Sequence, residues 1–277
     1  MTARRSVLPA VVLLWGHACA GAAPAAKALQ GPAADEIRSG IASGSGIVDH
    51  SAWEALLSRR VDARGGVDYL GLRGERPKLE AYLARLAGAK LPSLGRDQLL
   101  ALFINAYNAC TIRVVLDGSR DGTLPASIRD LRDPWGRKSC TVGGHLLSLD
   151  EIEHGIVRPF FKDARVHAAL NCAARSCPAL APWAYQGERV MGQLEDRMNA
   201  MVNSPAQVRV EKNALRVSKI LDWYGGDFVA PDFAEHAPTL VDYLLRHARP
   251  ELRRAIESLG PRPRVEFLDY DWSLNRQ

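Results

Sequence analysis

A histidine, an amide and two thiols lie within residues 165–178, and their spacing is suited to nucleophilic chemistry. His167, Asn171, Cys172 and Cys177 follow a short apolar run. Apolar residues alternate with His167 and Asn171 at the period of a β-strand, so both side chains are predicted to project from one face. A thiolate becomes nucleophilic when a nearby imidazolium lowers its pKa. The pattern predicts Cys172 as a candidate nucleophile, His167 as its base and Asn171 as a group that orients the ring or binds substrate.

The same cysteines also fit a disulfide or a metal site. The cysteines that follow residue 20 are Cys110, Cys140, Cys172 and Cys177. Exported cysteines usually pair, and four of them allow three full pairings, among which a short-range Cys172–Cys177 bridge is one candidate. A zinc site could combine Cys172 and Cys177 with His154 and His167, but Cys-x4-Cys lies at the edge of the usual ligand spacing. No metal and no cofactor is therefore predicted.

A second group of polar residues recurs along one predicted helix. Asp150, His154 and Arg158 are spaced by four residues, a pattern typical of a solvated charge stripe. Glu153 lies nearer the apolar side of the helix, where an ionised group needs a partner. We predict Glu153 as an orienter of His167, His154 as a second base or ligand, and Arg158 as a substrate-binding residue.

Two asparagines lie three residues apart on the most apolar helix, which is predicted over residues 97–116. This helix is apolar nearly all round, as in a buried central helix. A buried amide without partners costs about 1–3 kcal/mol. Asn105 and Asn108 therefore either satisfy loop backbone groups or serve the site, with Asn105 as an oxyanion donor and Asn108 as a substrate contact.

The elements around these residues predict an α+β fold. Helices are predicted over residues 51–60, 76–86, 148–159, 193–202 and 239–247, and strands or hairpins over 141–147, 166–171, 208–217 and 265–268. They occur in blocks without βαβ regularity, so one domain with a buried central helix and a small antiparallel sheet is expected. The helix at 148–159 begins with Ser148 and Glu151 at the spacing of a capping box.

The N-terminal residues predict export. Residues 1–20 carry Arg4 and Arg5, an apolar run and a small-residue cleavage site, in the order of a secretory signal peptide. Residues 21–50 read as a flexible leader and 51–277 as the domain, so a periplasmic or secreted location without a membrane span is expected. Removal of the signal leaves 34 basic and 31 acidic residues without a basic block, which disfavours nucleic acid as a partner.

Four ordered blocks resemble the DUF547 family, whose name denotes a domain of unknown function. The blocks lie at residues 103–109, 152–158, 167–178 and 270–275. The resemblance implies an exported bacterial relative, in which the positions of the shared pattern are Asn105, Asn108, Glu153, His154, His167 and Cys172. Related plant domains often lack a cysteine at the position of Cys177, which speaks against a universal Cys172–Cys177 bridge, and Cys110 is incidental to the pattern.

Papain and transglutaminases offer a distant analogy, since a buried helix precedes a strand that bears a histidine. Those enzymes place their cysteine at the start of the central helix, whereas here Asn105 lies on the helix and Cys172 follows His167. The analogy therefore bears on the fold more than on the mechanism.

Two functions remain open at this point. One is a thiol-dependent hydrolase or acyl-transferase that acts on peptide or amide bonds. The other is a non-catalytic exported domain that binds a peptide or small molecule, or is structural.

Overall fold

The computed structural model describes residues 27–277, and the fold in this range is α+β, as predicted. The predicted signal peptide and residues 21–26 lie outside the described residues. The α-helices are α1 (Pro32–Ser43), α2 (Ser51–Arg60), α3 (Tyr69–Gly74), α4 (Arg76–Ala87), α5 (Arg96–Asp117), α6 (Val190–Val202), α7 (Lys219–Trp223), α8 (Gly225–Val229), α9 (Leu240–His247) and α10 (Pro250–Glu257). A π-helix spans Glu151–Phe161. Short 3₁₀ helices span Leu91–Ser93, Ile128–Asp130, Ala164–Ala168 and Gly187–Arg189.

The strands form two small sheets. They are β1 (Cys140–Val142), β2 (His145–Leu147), β3 (Val208–Glu211), β4 (Ala214–Val217) and β5 (Val265–Phe267). Two antiparallel hairpins, β1–β2 and β3–β4, lie where they are predicted. However, β5 pairs with β4 in parallel, so the larger sheet is mixed rather than antiparallel. The chain between β4 and β5 passes through α7–α10, which is the kind of long crossover that parallel neighbours require.

A helix forms within the described part of the predicted leader. Helix α1 lies within it, with Ile37 fully buried, and packs on α5 and on the 3₁₀ helix Leu91–Ser93. Small residues permit this close contact, because a Cβ at Gly40 would lie only 2.5 Å from the Leu91 carbonyl oxygen. The alanine-rich composition that suggested a linker is also a good helix-forming composition.

Helix α5 is the centre of the larger hydrophobic core. By length and composition it is the one helix in residues 27–277 that could cross a membrane, yet 94% of its most apolar window is buried inside the fold. Its neighbours include α1, α4, α6, β1 and the π-helix. It is therefore the buried central helix that the sequence predicts.

The π-helix begins with the predicted capping box. Ser148 Oγ accepts the Glu151 N–H over 3.0 Å, and the Glu151 carboxylate accepts the Ser148 N–H over 2.9 Å. The helix continues past the predicted stop at Pro159 to Phe161 and ends at Lys162, whose φ is +48°. Its wide turns bring Glu153 and Arg158 to the buried side.

The strand predicted around His167 is wrong, because Ala164–Ala168 forms a 3₁₀ helix. The Asp163 carboxylate accepts the Arg165 N–H over 3.0 Å and caps this turn. Both sides of the segment are buried, so the alternation of small and apolar residues does not mark a solvent face. Val166 packs in the larger core and Ala168 in a second core formed by the C-terminal helices, which sets His167 between the two.

Candidate functional site

The imidazole of His167 is held by Asp227 on α8. His167 Nε2 lies 2.8 Å from Asp227 Oδ2. Burial tends to raise the pKa of Asp227, but hydrogen bonds from His167 and Arg158 bring it down to about 2. Asp227 is therefore ionised and can only accept, so the shared proton belongs to Nε2 and the neutral ring carries its lone pair on Nδ1.

Arg158 completes this buried ion pair. Its Nε and Nη2 donate to the two Asp227 carboxylate oxygens over 2.7 and 3.0 Å, a bidentate geometry. The guanidinium also lies 5.1 Å from the centre of the Tyr224 ring and 3.3 Å from His154 Nδ1. The structure thus gives Arg158, a predicted substrate contact, an internal carboxylate partner.

Glu153 is a buried carboxylate beside the imidazole. Burial alone would raise the pKa of Glu153, but His154, His167 and a hydrogen bond from Tyr224 lower it below its ordinary value. A hydrogen bond with Glu153 also contributes to the raised pKa of Tyr107, which burial dominates. His154 is partly exposed and lies 3.9 Å from a Glu153 oxygen. An ionised Glu153 is thus placed to stabilise positive charge on His167.

Tyr224 covers one face of the His167 ring. Its ring stacks on the His167 ring with 3.9 Å between centroids. Burial and Glu153 raise the pKa of Tyr224, and Tyr270 adds a smaller effect in the same direction. The Tyr270 ring in turn packs on Trp223 and Trp272 with centroid distances of 4.8 and 4.6 Å. Tyr224 therefore packs on the imidazole, while Tyr270 packs against two tryptophan rings.

Cys172 and Cys177 form a disulfide, which is one of the alternatives that the sequence left open. The Tyr270 hydroxyl lies 3.3 Å from Cys172 Sγ and 3.2 Å from Cys177 Sγ. In this oxidised form Cys172 has no thiolate, and neither sulfur is available as a zinc ligand. His167 forms its hydrogen bond with Asp227 and not with Cys172.

The residue after Cys172 has a strained backbone. Ala173 has a φ of +64°, in the left-handed region that costs a non-glycine residue about 1–2 kcal/mol. Its N–H donates to Asn171 Oδ1 over 2.9 Å, and its carbonyl accepts the Asn275 N–H. These contacts hold Cys172 on a sharp turn, and such strain is often found at functional sites.

Asn108 and Asn171 hold this loop rather than point into open space. Asn108 donates from Nδ2 to the Ala169 carbonyl over 3.0 Å and accepts the Asn171 N–H over 2.9 Å. Asn171 donates to the Pro178 carbonyl and accepts from Asn275 Nδ2 over 3.1 Å. Both predicted substrate contacts therefore have backbone partners in this structure.

Asn105, the predicted oxyanion donor, lies in a different environment. Its amide donates to the Tyr185 carbonyl over 2.8 Å and accepts the Tyr185 N–H over 3.0 Å. Asn105 therefore holds the loop before α6 on the central helix. This role agrees with the alternative that these asparagines satisfy loop backbone groups. The structure does not bring it into hydrogen-bond contact with His167, Glu153 or Cys172.

Cys110 is not incidental to the fold, because it forms a second disulfide with Cys140 that joins α5 to β1. Both residues are fully buried. Among residues 27–277, no group of three or more His, Cys, Asp or Glu side chains could hold a metal ion.

The chemistry-bearing segment also matches a known family model. Residues 91–202 match the model of the DUF547 family, described as a protein of unknown function. The match runs from the 3₁₀ helix Leu91–Ser93 to the end of α6 and includes Glu153, His167 and Cys172. Neither the comparison with curated proteins nor the comparison with solved structures finds a match. The likeness to papain-like folds therefore stays a prediction.

Three residues that complete the site lie beyond the DUF547 match, namely Tyr224, Asp227 and Tyr270. The sequence patterns do not indicate the roles of Tyr224 and Asp227, and Tyr270 stands out only as part of a block that resembles the family. A buried Arg158 requires an acidic partner, but this requirement does not say which of the 31 acidic residues supplies it. Only the tertiary fold brings α8 against the π-helix.

Proposed function

We propose that this chain is a thiol-dependent hydrolase or acyl-transferase that acts on amide or peptide bonds. The observation that carries the proposal is the 2.8 Å hydrogen bond between His167 Nε2 and Asp227. A base held by a carboxylate through one ring nitrogen keeps the other nitrogen for a nucleophile. Asp227 therefore takes the orienting role that the sequence assigned to Glu153 or Asn171.

The reaction begins with the reduced form of Cys172. Burial, acting against the hydrogen bond to Asp227, lowers the pKa of His167, so the ring is neutral at neutral pH and can take the thiol proton. The thiolate then forms a bond to the carbonyl carbon, and the amine leaves with the proton from His167. Water or an acceptor amine cleaves the resulting thioester and regenerates the thiol.

Two charges support the protonated base. Asp227 accepts its hydrogen bond, and Glu153 lies close enough to favour positive charge on the ring. The imidazolium that forms when the thiol ionises is therefore stabilised in place. Arg158 keeps Asp227 ionised and fixed in orientation.

The nucleophile exists only after the Cys172–Cys177 bond opens, and its side chain must then turn toward His167. In the oxidised form the sulfur contacts Tyr270. Disulfides form and persist in oxidising compartments, which agrees with the signal order at the N-terminus. We therefore also propose that the chain is exported and that its activity depends on its redox state.

Labelling with an electrophilic acyl probe tests this function. The full chain is treated with the probe before and after mild reduction, and labelled peptides are identified by mass spectrometry. We expect labelling at Cys172 only after reduction. We expect Asp227→Asn and His167→Asn each to lower the labelling rate by about 10²-fold or more.

The control is His247→Asn, which alters another buried histidine that contacts Asn199 and Glu195 away from this site. Circular dichroism establishes which variants keep their fold. The labelling rate of the parent should rise with pH as His167 loses its proton, and this dependence should vanish in His167→Asn. Equal labelling of reduced parent and His167→Asn would contradict the proposal and favour a non-catalytic binding domain.

A further inference from the structure

The two disulfides of this chain have different environments. Cys110 and Cys140 are both 0% exposed, whereas Cys177 is 5% exposed and Cys172 is only half-buried. An external thiolate must reach a sulfur atom along the axis of the bond that it breaks. Cys172 is therefore the most exposed of these four cysteines, and we take its sulfur as the point of attack.

The sulfur of Cys177 has contacts that favour it as the leaving group. This sulfur accepts the backbone N–H of Cys172 over 3.1 Å, and the Tyr270 hydroxyl donates to it over 3.2 Å while lying 3.3 Å from Cys172 Sγ. Hydrogen bonds to a sulfur stabilise negative charge on it and lower the pKa of the thiol, and a leaving thiol of lower pKa departs faster. The sulfur of the buried Cys177 is thus a stabilised leaving group, and the more exposed Cys172 is its partner.

We propose that the Cys172–Cys177 disulfide is an exchange site that is reduced by an external dithiol. One thiolate of the dithiol attacks Cys172 Sγ to form a mixed disulfide, and the electron pair of the broken bond leaves on Cys177 Sγ. The second thiolate of the dithiol then attacks the first dithiol sulfur in the mixed disulfide. This attack closes the disulfide of the reagent and releases Cys172 as a thiolate. The dithiol becomes a disulfide, and the two cysteines take up two electrons and two protons.

The short loop selects a dithiol over a monothiol. Cys172 and Cys177 are five residues apart, and Asn171, Ala173 and Ser176 are anchored by hydrogen bonds on either side. The Cys177 thiolate therefore remains beside the mixed disulfide and can expel a monothiol by reclosing the bond. A dithiol resolves the intermediate before this return, because its second thiol is also intramolecular.

This inference goes beyond the proposed hydrolase and does not require it. The experiment incubates the full oxidised chain with dithiothreitol or glutathione, quenches samples by alkylation and maps each cysteine by mass spectrometry. We expect Cys172–Cys177 to open at least about ten times faster than Cys110–Cys140, because the buried bond reacts only when the fold opens locally. We expect dithiothreitol to give full reduction where glutathione at equal thiol concentration gives little.

Tyr270→Phe tests the leaving-group contact. It should slow the opening of Cys172–Cys177 about fivefold, the factor that corresponds to one typical hydrogen bond. Tyr243→Phe is the matched control, because the buried Tyr243 hydroxyl has no hydrogen-bond partner within residues 27–277 and packs in the second core. This control should leave the rate unchanged.

Two results would overturn the inference: opening of both disulfides together, or an unchanged rate in Tyr270→Phe. The assay contains no acyl substrate, so it is read separately from the proposed function. Rapid exchange without acyl labelling would retain the exchange site and reject the hydrolase. Acyl labelling after forced reduction, together with slow exchange, would retain the hydrolase and reject the exchange site.

Discussion

The backbone N–H of Asn171 donates to the side-chain oxygen of Asn108 over 2.9 Å, so the central helix directly holds the loop between His167 and Cys172. The same side chain donates to the Ala169 carbonyl. One amide of α5 therefore satisfies two backbone groups of this loop, and the position of the candidate nucleophile depends on it.

Asn108→Ala should weaken both the fold and the site. The change leaves the Asn171 N–H and the Ala169 carbonyl buried without their partner, so we expect the free energy of unfolding to fall by about 2–4 kcal/mol. We also expect slower acyl-probe labelling of the reduced chain. Urea denaturation and labelling rates measure the two effects.

Asn105→Ala is the matched control for this prediction. Asn105 lies on the same helix and also makes two backbone hydrogen bonds, but to Tyr185. We expect a similar loss of stability with an unchanged labelling rate in the folded fraction. Equal loss of labelling in both variants would show that Asn108 acts through global stability alone.

Local patterns predict α2, α4, α5, α6, α9, the π-helix and both hairpins, but α1, α3, α7, α8 and α10 are not among the predicted helices. The apolar character of α5 and the capping box at Ser148 are written in consecutive residues, and both are confirmed. The parallel β4–β5 pairing depends on where a long crossover returns, which no local pattern specifies. Helix α1 forms within the predicted leader, because a small-residue composition suits both a linker and a helix that packs closely.

The candidate site is predictable only in part, because local patterns do not specify contacts between distant segments. Glu153, His154, Arg158 and His167 lie together, and their residue types indicate polar chemistry. Their partners come from distant sequence, since Asp227 lies 60 residues beyond His167. Side chains that meet through tertiary packing carry no spacing signal, so the orienting carboxylate had to be found in the structure.

Ala173→Gly should stabilise the chain. Glycine adopts the left-handed backbone of this position without the Cβ clash, and this relief exceeds the added entropy of the unfolded chain. We expect the free energy of unfolding to rise by about 0.5–1 kcal/mol. Ala174→Gly is the control, because Ala174 is also buried but lies outside the left-handed region and should lose stability. Destabilisation by both changes would argue against strain at Ala173.

The two disulfides should differ in what they contribute to stability. Cys110–Cys140 closes a separation of 30 residues and Cys172–Cys177 one of five. The chain-entropy relation gives losses of about 3.5 and about 2 kcal/mol when each pair is replaced by alanines. Urea denaturation of the two double variants under non-reducing conditions compares them. A larger loss for the short loop would indicate that native packing, rather than loop closure, dominates.

His50 should make the fold sensitive to acid. Its Nδ1 lies 2.7 Å from the Tyr82 hydroxyl, and its Nε2 is buried without a hydrogen-bond partner among the described residues. Burial lowers the pKa of His50 from 6.5 to about 4, although Asp49 and Glu188 act in the opposite direction. Between these two values the unfolded chain binds the proton and the folded chain does not. Stability is therefore fully present above pH 6.5 and falls as the pH drops toward 4.

The expected loss from this one residue over that window is about 3 kcal/mol. His50→Gln keeps a polar partner for Tyr82 but removes the titration, so its unfolding free energy should fall less on acidification than that of the parent. Both chains share the same carboxylates and the buried His167 and His247, so the difference between their pH profiles isolates His50. Urea denaturation at several pH values from 7 to 4 measures it. Parallel profiles would mean that His50 is already protonated in the fold, or that acid reaches it by local opening before the chain unfolds.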